Sequence, residues 1–387
     1  MWISATGIRK YIQSVAWDVV KAKLESEGAF NVKYDLDKDG YFDPKQLNGW
    51  KPGYTPYVTP FEDDAVPVEF DWASAKIMTV QKGTVSTASL DGARDVFIKG
   101  NYAYVTAGVA DSLTVIDISD PTSPTQVSTI STASLDGAYS SFVRGDYAYV
   151  AAYYADSLTI IDISNPTSPT QVSTISTAGL DNACDVFVRG DYAYVAAYVA
   201  DSLTIVDISD PTSPTQVGAV STADLDAACD VFVRGDYAYV VAYFADSLTV
   251  VDISDPTSPT QIGTISTTDL NGALGVFVRG NYAYVASYLA KSLTIIDISD
   301  PTSPTQIGTI SAANLDGARD VFVRGDYAYV TADIADSLTI IDVSNPTSPT
   351  QVSTISTVNL DGAIGIFVIG DYVYVAARDA DSLTIVG

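Results

Sequence analysis

Four aspartates between residues 35 and 43 carry the clearest chemical signal of the chain. Asp35, Asp37 and Asp39 stand at positions 1, 3 and 5 of a loop, Gly40 at 6, Tyr41 at 7 and Asp43 at 9. Hard oxygen ligands at that spacing, with a glycine for the sharp turn and a backbone carbonyl at position 7, are what a calcium ion requires. Position 12, where a bidentate glutamate would close the shell, is Gln46, which offers one neutral oxygen. The pattern predicts a Ca2+ site of reduced affinity and structural role, held by Asp35, Asp37, Asp39, Tyr41, Asp43 and Gln46; a plain acidic turn is the alternative.

A second group of side chains recurs at a fixed interval. Tyr153, Tyr198, Tyr243 and Tyr288 are each followed by an apolar residue, Tyr154, Val199, Phe244 and Leu289. Contiguous exposed apolar surface marks binding sites, and tyrosine there suits protein contacts or sugar stacking. Tyr153, Tyr154, Tyr198, Tyr243, Phe244, Tyr288 and Leu289 form a candidate binding patch, with ordinary packing against neighbouring edges as the alternative. Asp95, Asp185, Asp230 and Asp320 recur in the same way and read as solvated carboxylates, with a cation site as the alternative. The two cysteines, Cys184 and Cys229, lie one period apart and read as buried free thiols.

Chemistry of other kinds is disfavoured. The chain has no histidine, and so lacks the commonest general base and transition-metal ligand. No Ser–His or Cys–His pair exists, and the sequence is read as non-enzymatic. A formal charge of −27, from 47 acidic and 20 basic residues, disfavours nucleic acid as a partner. No apolar run of ~18 residues points to a transmembrane span, and no basic-then-apolar leader pattern is visible.

The elements that must position these groups are repeats. The string Leu-Asp/Asn-Gly/Ala/Asn-Ala begins at Leu90, Leu135, Leu180, Leu225, Leu270, Leu315 and Leu360, always 45 residues apart. That period suits a propeller blade. In the third copy, 185–189 and 192–197 alternate around a Gly190-Asp191 turn, 203–208 is a third strand, and 216–221 a fourth after a Pro-Thr-Ser-Pro loop. Seven such repeats predict an all-β, seven-bladed β-propeller over residues 78–387. The seventh copy lacks its fourth strand, whereas Gln81–Leu90 aligns without gaps on Gln126–Leu135, so an N-terminal strand is expected to close the ring. Arg-Gly-Asp, at Arg144, Arg189, Arg234 and Arg324, reads as a hairpin turn flanked by an exposed arginine, not as an adhesion signal.

Residues 1–77 do not repeat. Apolar residues at helical spacing predict a helix over 6–27, which with the calcium loop makes a module over 1–50. Residues 51–77, dense in proline and aromatics, predict an extended arm that either lies as a belt on its own propeller or reaches a neighbouring copy.

Tyr-Ala-Tyr-Val, Leu-Thr-Ile-Val-Asp-Ile-Ser-Asp-Pro and Pro-Thr-Gln-Val resemble the LVIVD repeat over 78–387. That resemblance implies a surface or secreted propeller and no particular activity. The Asp35–Gln46 loop resembles the loop–helix of extracellular dockerin-type calcium repeats. Together these features predict an extracellular or cell-surface structural protein, a surface-layer, filament or adhesive component that self-associates through residues 1–77. The alternative is a lectin-like propeller that binds a glycan or protein through the aromatic patch.

Overall fold

A computed structural model describes residues 80–387. Seven four-stranded antiparallel sheets are arranged as the blades of a propeller. Blade 1 runs over Ala93–Lys99, Tyr102–Ala107, Ser112–Asp117 and Thr125–Ser131, innermost strand first. Blades 2 to 6 repeat this order, with inner strands Ala138–Arg144, Ala183–Arg189, Ala228–Arg234, Ala273–Arg279 and Ala318–Arg324. Blade 7 contributes Ala363–Ile369, Tyr372–Ala377 and Ser382–Val386, and its outer strand is Gln81–Ser86.

The closing strand is where the gapless alignment expected it. Thr84 faces Thr384 and Ser86 faces Ser382, and the Gly387 amide donates to the Val80 carbonyl at 2.9 Å. Pairing these strands removes two sheet edges that would otherwise be open to another chain.

Strand limits differ slightly from the sequence reading. In blade 3 the last two strands are Ser202–Asp207 and Thr215–Ser221. A short 3-10 turn, Ala178–Leu180, was not foreseen; its counterparts precede every inner strand. Its leucine, Leu180, is fully buried and plugs the turn into the core, which explains why the Leu-Asp-Gly string recurs so strictly.

Burial grades outward along each blade. The second and third strands are buried on both faces because each sheet is sandwiched between neighbours, so they read as near-continuous apolar runs. The outer strand alternates exposed and half-buried residues. Around the axis, Phe97, Phe142, Phe187, Phe232, Phe277, Phe322 and Phe367 form a closed ring. Each touches the next, with centroids 4.7–5.3 Å apart in tilted geometry. Such aromatic contacts add about 0.5–1.5 kcal/mol each beyond area burial.

Hydrogen bonds tie blade to blade on both faces. On one face the hairpin turns carry a glycine at positive φ, such as Gly190 at 55°. Here the arginines of the Arg-Gly-Asp strings are not simply exposed strand ends. Arg144 donates to the Gly190 carbonyl and Arg189 to the Gly235 carbonyl, each in the next blade, and Lys99 does the same to Gly145. On the other face, Asp111, Asp156, Asp201, Asp246, Asp336 and Asp381 sit in left-handed backbone geometry. Each accepts a backbone N–H from the next blade's entry turn, as Asp156 does from Asn182 at 2.8 Å. Blade 5 has Lys291 at this position, which pairs instead with Asp316 at 2.7 Å.

Candidate functional site

The connections between second and third strands, together with the starts of the inner strands, surround one mouth of the channel. They enclose a cavity of about 410 Å³ lined by Arg94, Tyr139, Tyr153, Tyr154, Cys184, Tyr198, Cys229, Tyr243, Leu274, Tyr288, Arg319 and Arg378, with Gly137 at the edge. Nothing from the phenylalanine ring or below contributes, so the cavity is a cup seated above that ring.

Half of the cup is aromatic. Tyr139 stacks on Tyr153 at 5.7 Å, and Tyr153 meets Tyr198 at 6.2 Å. Tyr198 touches Phe244 at 5.7 Å, Phe244 touches Tyr243 at 5.2 Å, and Tyr243 meets Tyr288 at 6.5 Å. Blades 2 to 5 therefore supply a continuous arc of rings. Burial pushes the Tyr139 and Tyr198 phenols up to about 12, so both remain neutral O–H groups.

Arginines cap both ends of the arc. The Arg94 guanidinium lies over Tyr139 at 4.6 Å, and that of Arg319 over Tyr288 at 4.8 Å. Arg319 also donates from Nε to the buried Asp333 carboxylate at 2.7 Å. Arg378 forms a two-pronged pair with Asp379 at 2.8 and 2.9 Å and lies 3.8 Å from Asp333. Blades 6, 7 and 1 thus make a basic sector opposite the tyrosines. Every arginine among the described residues outside the hairpin turns lines this one cup.

The sequence patch is divided by the structure. Tyr153, Tyr198, Tyr243 and Tyr288 are half-buried cup walls, and Tyr154 lines the rim. Phe244 and Leu289 point outward, 61% and 50% exposed. With Val109, Tyr154, Val199 and Ile334 they form an apolar collar drawn from six of the blades.

Cys184 and Cys229 are free and buried, at the cup floor on adjacent inner strands. Burial first, and the neighbouring Cys229 second, hold the Cys184 thiol well above its usual range.

The channel aspartates correct the sequence reading. They are not freely solvated; each reaches across to the next inner strand. Asp95 accepts the Ser141 N–H at 2.8 Å, Asp185 that of Val231 at 3.0 Å, Asp230 that of Val276 at 2.6 Å and Asp320 that of Ile366 at 3.1 Å. The inner strand is the free edge of its sheet, so alternate amides point away from the ladder into the channel, and the neighbour's carboxylate satisfies one of them. Burial pushes the Asp95 carboxyl up to about 6, and the charge of Asp185 adds to the effect. Asp230 and Asp320 are raised for the same first reason, then by the charges of Asp185 and Asp95 respectively. Among the described residues, no group of three or more His, Cys, Asp or Glu is placed to hold a metal ion. The expected calcium ligands Asp35, Asp37, Asp39, Tyr41, Asp43 and Gln46 lie outside the described residues, as do the 6–27 helix and the 51–77 arm.

The sequence patch does not include Arg94, Tyr139, Arg319 or Arg378. The signal that unites them is ring closure, which makes blade 7 a neighbour of blade 1 and gathers the three arginines on one side.

This architecture, a strand-closed ring of seven four-stranded blades with a cup at one mouth, defines a seven-bladed β-propeller. The LVIVD repeat model matches residues 92–132, 138–177, 181–222, 227–267, 272–311, 317–357 and 362–386. The chain belongs to the LVIVD repeat family. Among solved structures it is similar to a functionally unknown protein from Desulfotomaculum acetoxidans, at 13% identity and TM-score 0.59, covering 78% of this chain and 98% of that one. It is also similar to a Lactobacillus plantarum protein, at 15% identity and TM-score 0.60, covering 68% and 85%. A third is the periplasmic gluconolactonase of Pseudomonas aeruginosa, at 14% identity and TM-score 0.56, covering 64% and 77%. At these identities the likeness shows the fold alone. A search of curated proteins finds no match.

Proposed function

We propose that the propeller is a non-catalytic binding module whose cup takes a saccharide. The observation that carries this reading is the arc of half-buried tyrosines from four consecutive blades around a cavity of about 410 Å³. Aromatic faces receive the C–H faces of a sugar ring, and the neutral phenols donate to its hydroxyls. The held-back Cys184 thiol and the high phenol values favour recognition over covalent chemistry. A glycan array with the full chain, compared with Tyr198→Ala and Tyr243→Ala, tests the proposal. Each change is expected to weaken binding up to about tenfold, the scale of one aromatic contact. Absence of binding to any glycan removes the reading.

A second reading, an extracellular surface component that assembles with further copies, is supported by the exposed apolar collar and by the calcium-type spacing of Asp35–Gln46. Light scattering with calcium and with EDTA tests it, and a monomer indifferent to both rules it out.

A further inference from the structure

We infer that the saccharide taken by this cup is acidic, its carboxylate or sulfate seated against Arg94 in the basic sector. This rests on the cup being a saccharide site. The argument begins with charge. In a chain of formal charge −27, three guanidinium groups converge on one cavity. Two of them are already matched: Arg319 by Asp333, and Arg378 by Asp379. Arg94 makes no ion pair among the described residues; its contact is the face of Tyr139. Stacking holds the guanidinium plane and leaves its N–H edges free to donate, the arrangement that suits two-pronged capture of two oxygens of a carboxylate or sulfate.

The chain also makes room for this arginine. Blades 2 to 5 carry tyrosine at the tip position, whereas blade 1 carries Gly108. A Cβ at Gly108 would lie 2.6 Å from Arg94 Nε, so any larger residue displaces the guanidinium. The inner-strand arginines, Arg94 and Arg319, therefore coincide with the two tips that accommodate them, Gly108 beside one and Asp333 beside the other. Asp333 fixes Arg319, while Gly108 only clears space for Arg94. The tyrosine arc and the basic sector face each other across the cup, which fits a ligand with a ring at one side and a negative charge at the other.

The test uses the full chain and three oligosaccharide sets of equal length: neutral, uronate-bearing and sulfated. Acidic ligands are expected to bind at least tenfold tighter than neutral ones, with affinity falling as salt rises. Preference between the uronate and sulfate sets identifies the anion. Arg94→Gln is expected to lower acidic-ligand affinity about ten- to a hundredfold, the range for losing charge-assisted hydrogen bonds, and to lower it by a larger factor than neutral-ligand affinity. Gly108→Tyr should do the same without touching the charge. Equal binding of neutral and acidic sets, or acidic binding unaffected by both variants, overturns the acidic assignment and leaves the saccharide reading standing. Protection of Arg94 from phenylglyoxal, read by mass spectrometry, separates the opposite case. If no oligosaccharide binds but millimolar benzoate or sulfate protects Arg94, the anion site stands and the saccharide reading falls. With neither binding nor protection, both fall.

Discussion

Replacing Asp95 by asparagine should stabilise the propeller at neutral pH and do nothing in acid. The carboxylate accepts the Ser141 N–H at 2.8 Å and the Ser140 hydroxyl at 3.3 Å, and an asparagine oxygen can keep the first of these. What changes is the charge. Burial holds the folded carboxyl near 6, against 3.8 for the free group. The folded state therefore binds the proton more tightly than the unfolded state. The stability this confers is fully present below about pH 4 and is lost as pH rises through 6. A shift of about two units corresponds to roughly 3 kcal/mol at 1.36 kcal/mol per unit. Asp95 still touches the channel lumen, and water there screens the charge, so about 1–2 kcal/mol is the fairer figure. With unfolding entropy near 2.1 cal/mol/K per residue, that is roughly 2–3 °C in Tm for a propeller of this size. Thermal unfolding of parent and Asp95→Asn at pH 4, 5, 6, 7 and 8 reads it. The variant's advantage should be absent at pH 4 and grow to its full value by pH 7. A difference that is flat with pH, or a loss at every pH, would refute the burial argument and make the charge itself a stabilising part of the blade contact.

Removing one member of the phenylalanine ring, by Phe97→Ala, breaks contacts to both Phe142 and Phe367 and should cost about 3–5 kcal/mol, seen as a lowered Tm. The buried thiols should alkylate slowly at pH 8 in the folded protein and rapidly once it is unfolded, because burial holds Cys184 in its protonated form; mass spectrometry after timed iodoacetamide exposure checks this. Val85→Pro removes a ladder donor opposite Leu383 in the closing strand and should broaden unfolding and promote oligomers, measurable by size exclusion, while Lys82→Ala nearby should leave both unchanged.

The fold was legible because the repeat declares it. A fixed interval, two-residue glycine turns and alternating strands specify a blade, and the alignment of Gln81–Leu90 on Gln126–Leu135 specified closure. The site was legible by parts. Tyr153, Tyr198, Tyr243 and Tyr288 stood out because they recur at a fixed interval, each with an apolar residue after it. Their link to Arg319 was hidden because its contact with Tyr288 joins two different repeat positions, and Arg94 reaches the arc only through Tyr139, which the patch did not include. The aspartates were misjudged for a different reason. A carboxylate at a channel looks solvated in sequence, and only the ring arrangement sets it against the unpaired edge amide of the next inner strand.

Closure by Gln81–Ser86 also has a consequence in time. Thr84 and Thr384, partners across the seam, are 300 residues apart, whereas Thr114 and Thr129 within blade 1 are 15 apart. Loop entropy makes the seam costlier to form by about 2.7 kcal/mol. At about 5–20 residues per second, the first strand leaves the ribosome some 15–60 s before its partner exists. Six blades can assemble in order of synthesis during that interval, but the ring cannot lock. Throughout it an orphan strand waits at one side and an open edge forms at the other. On a crowded polysome, a neighbouring nascent chain can offer its own first strand to that edge. Fidelity of closure is therefore a race between release of one chain and encounter with the next, and expression rate is the variable that sets the odds.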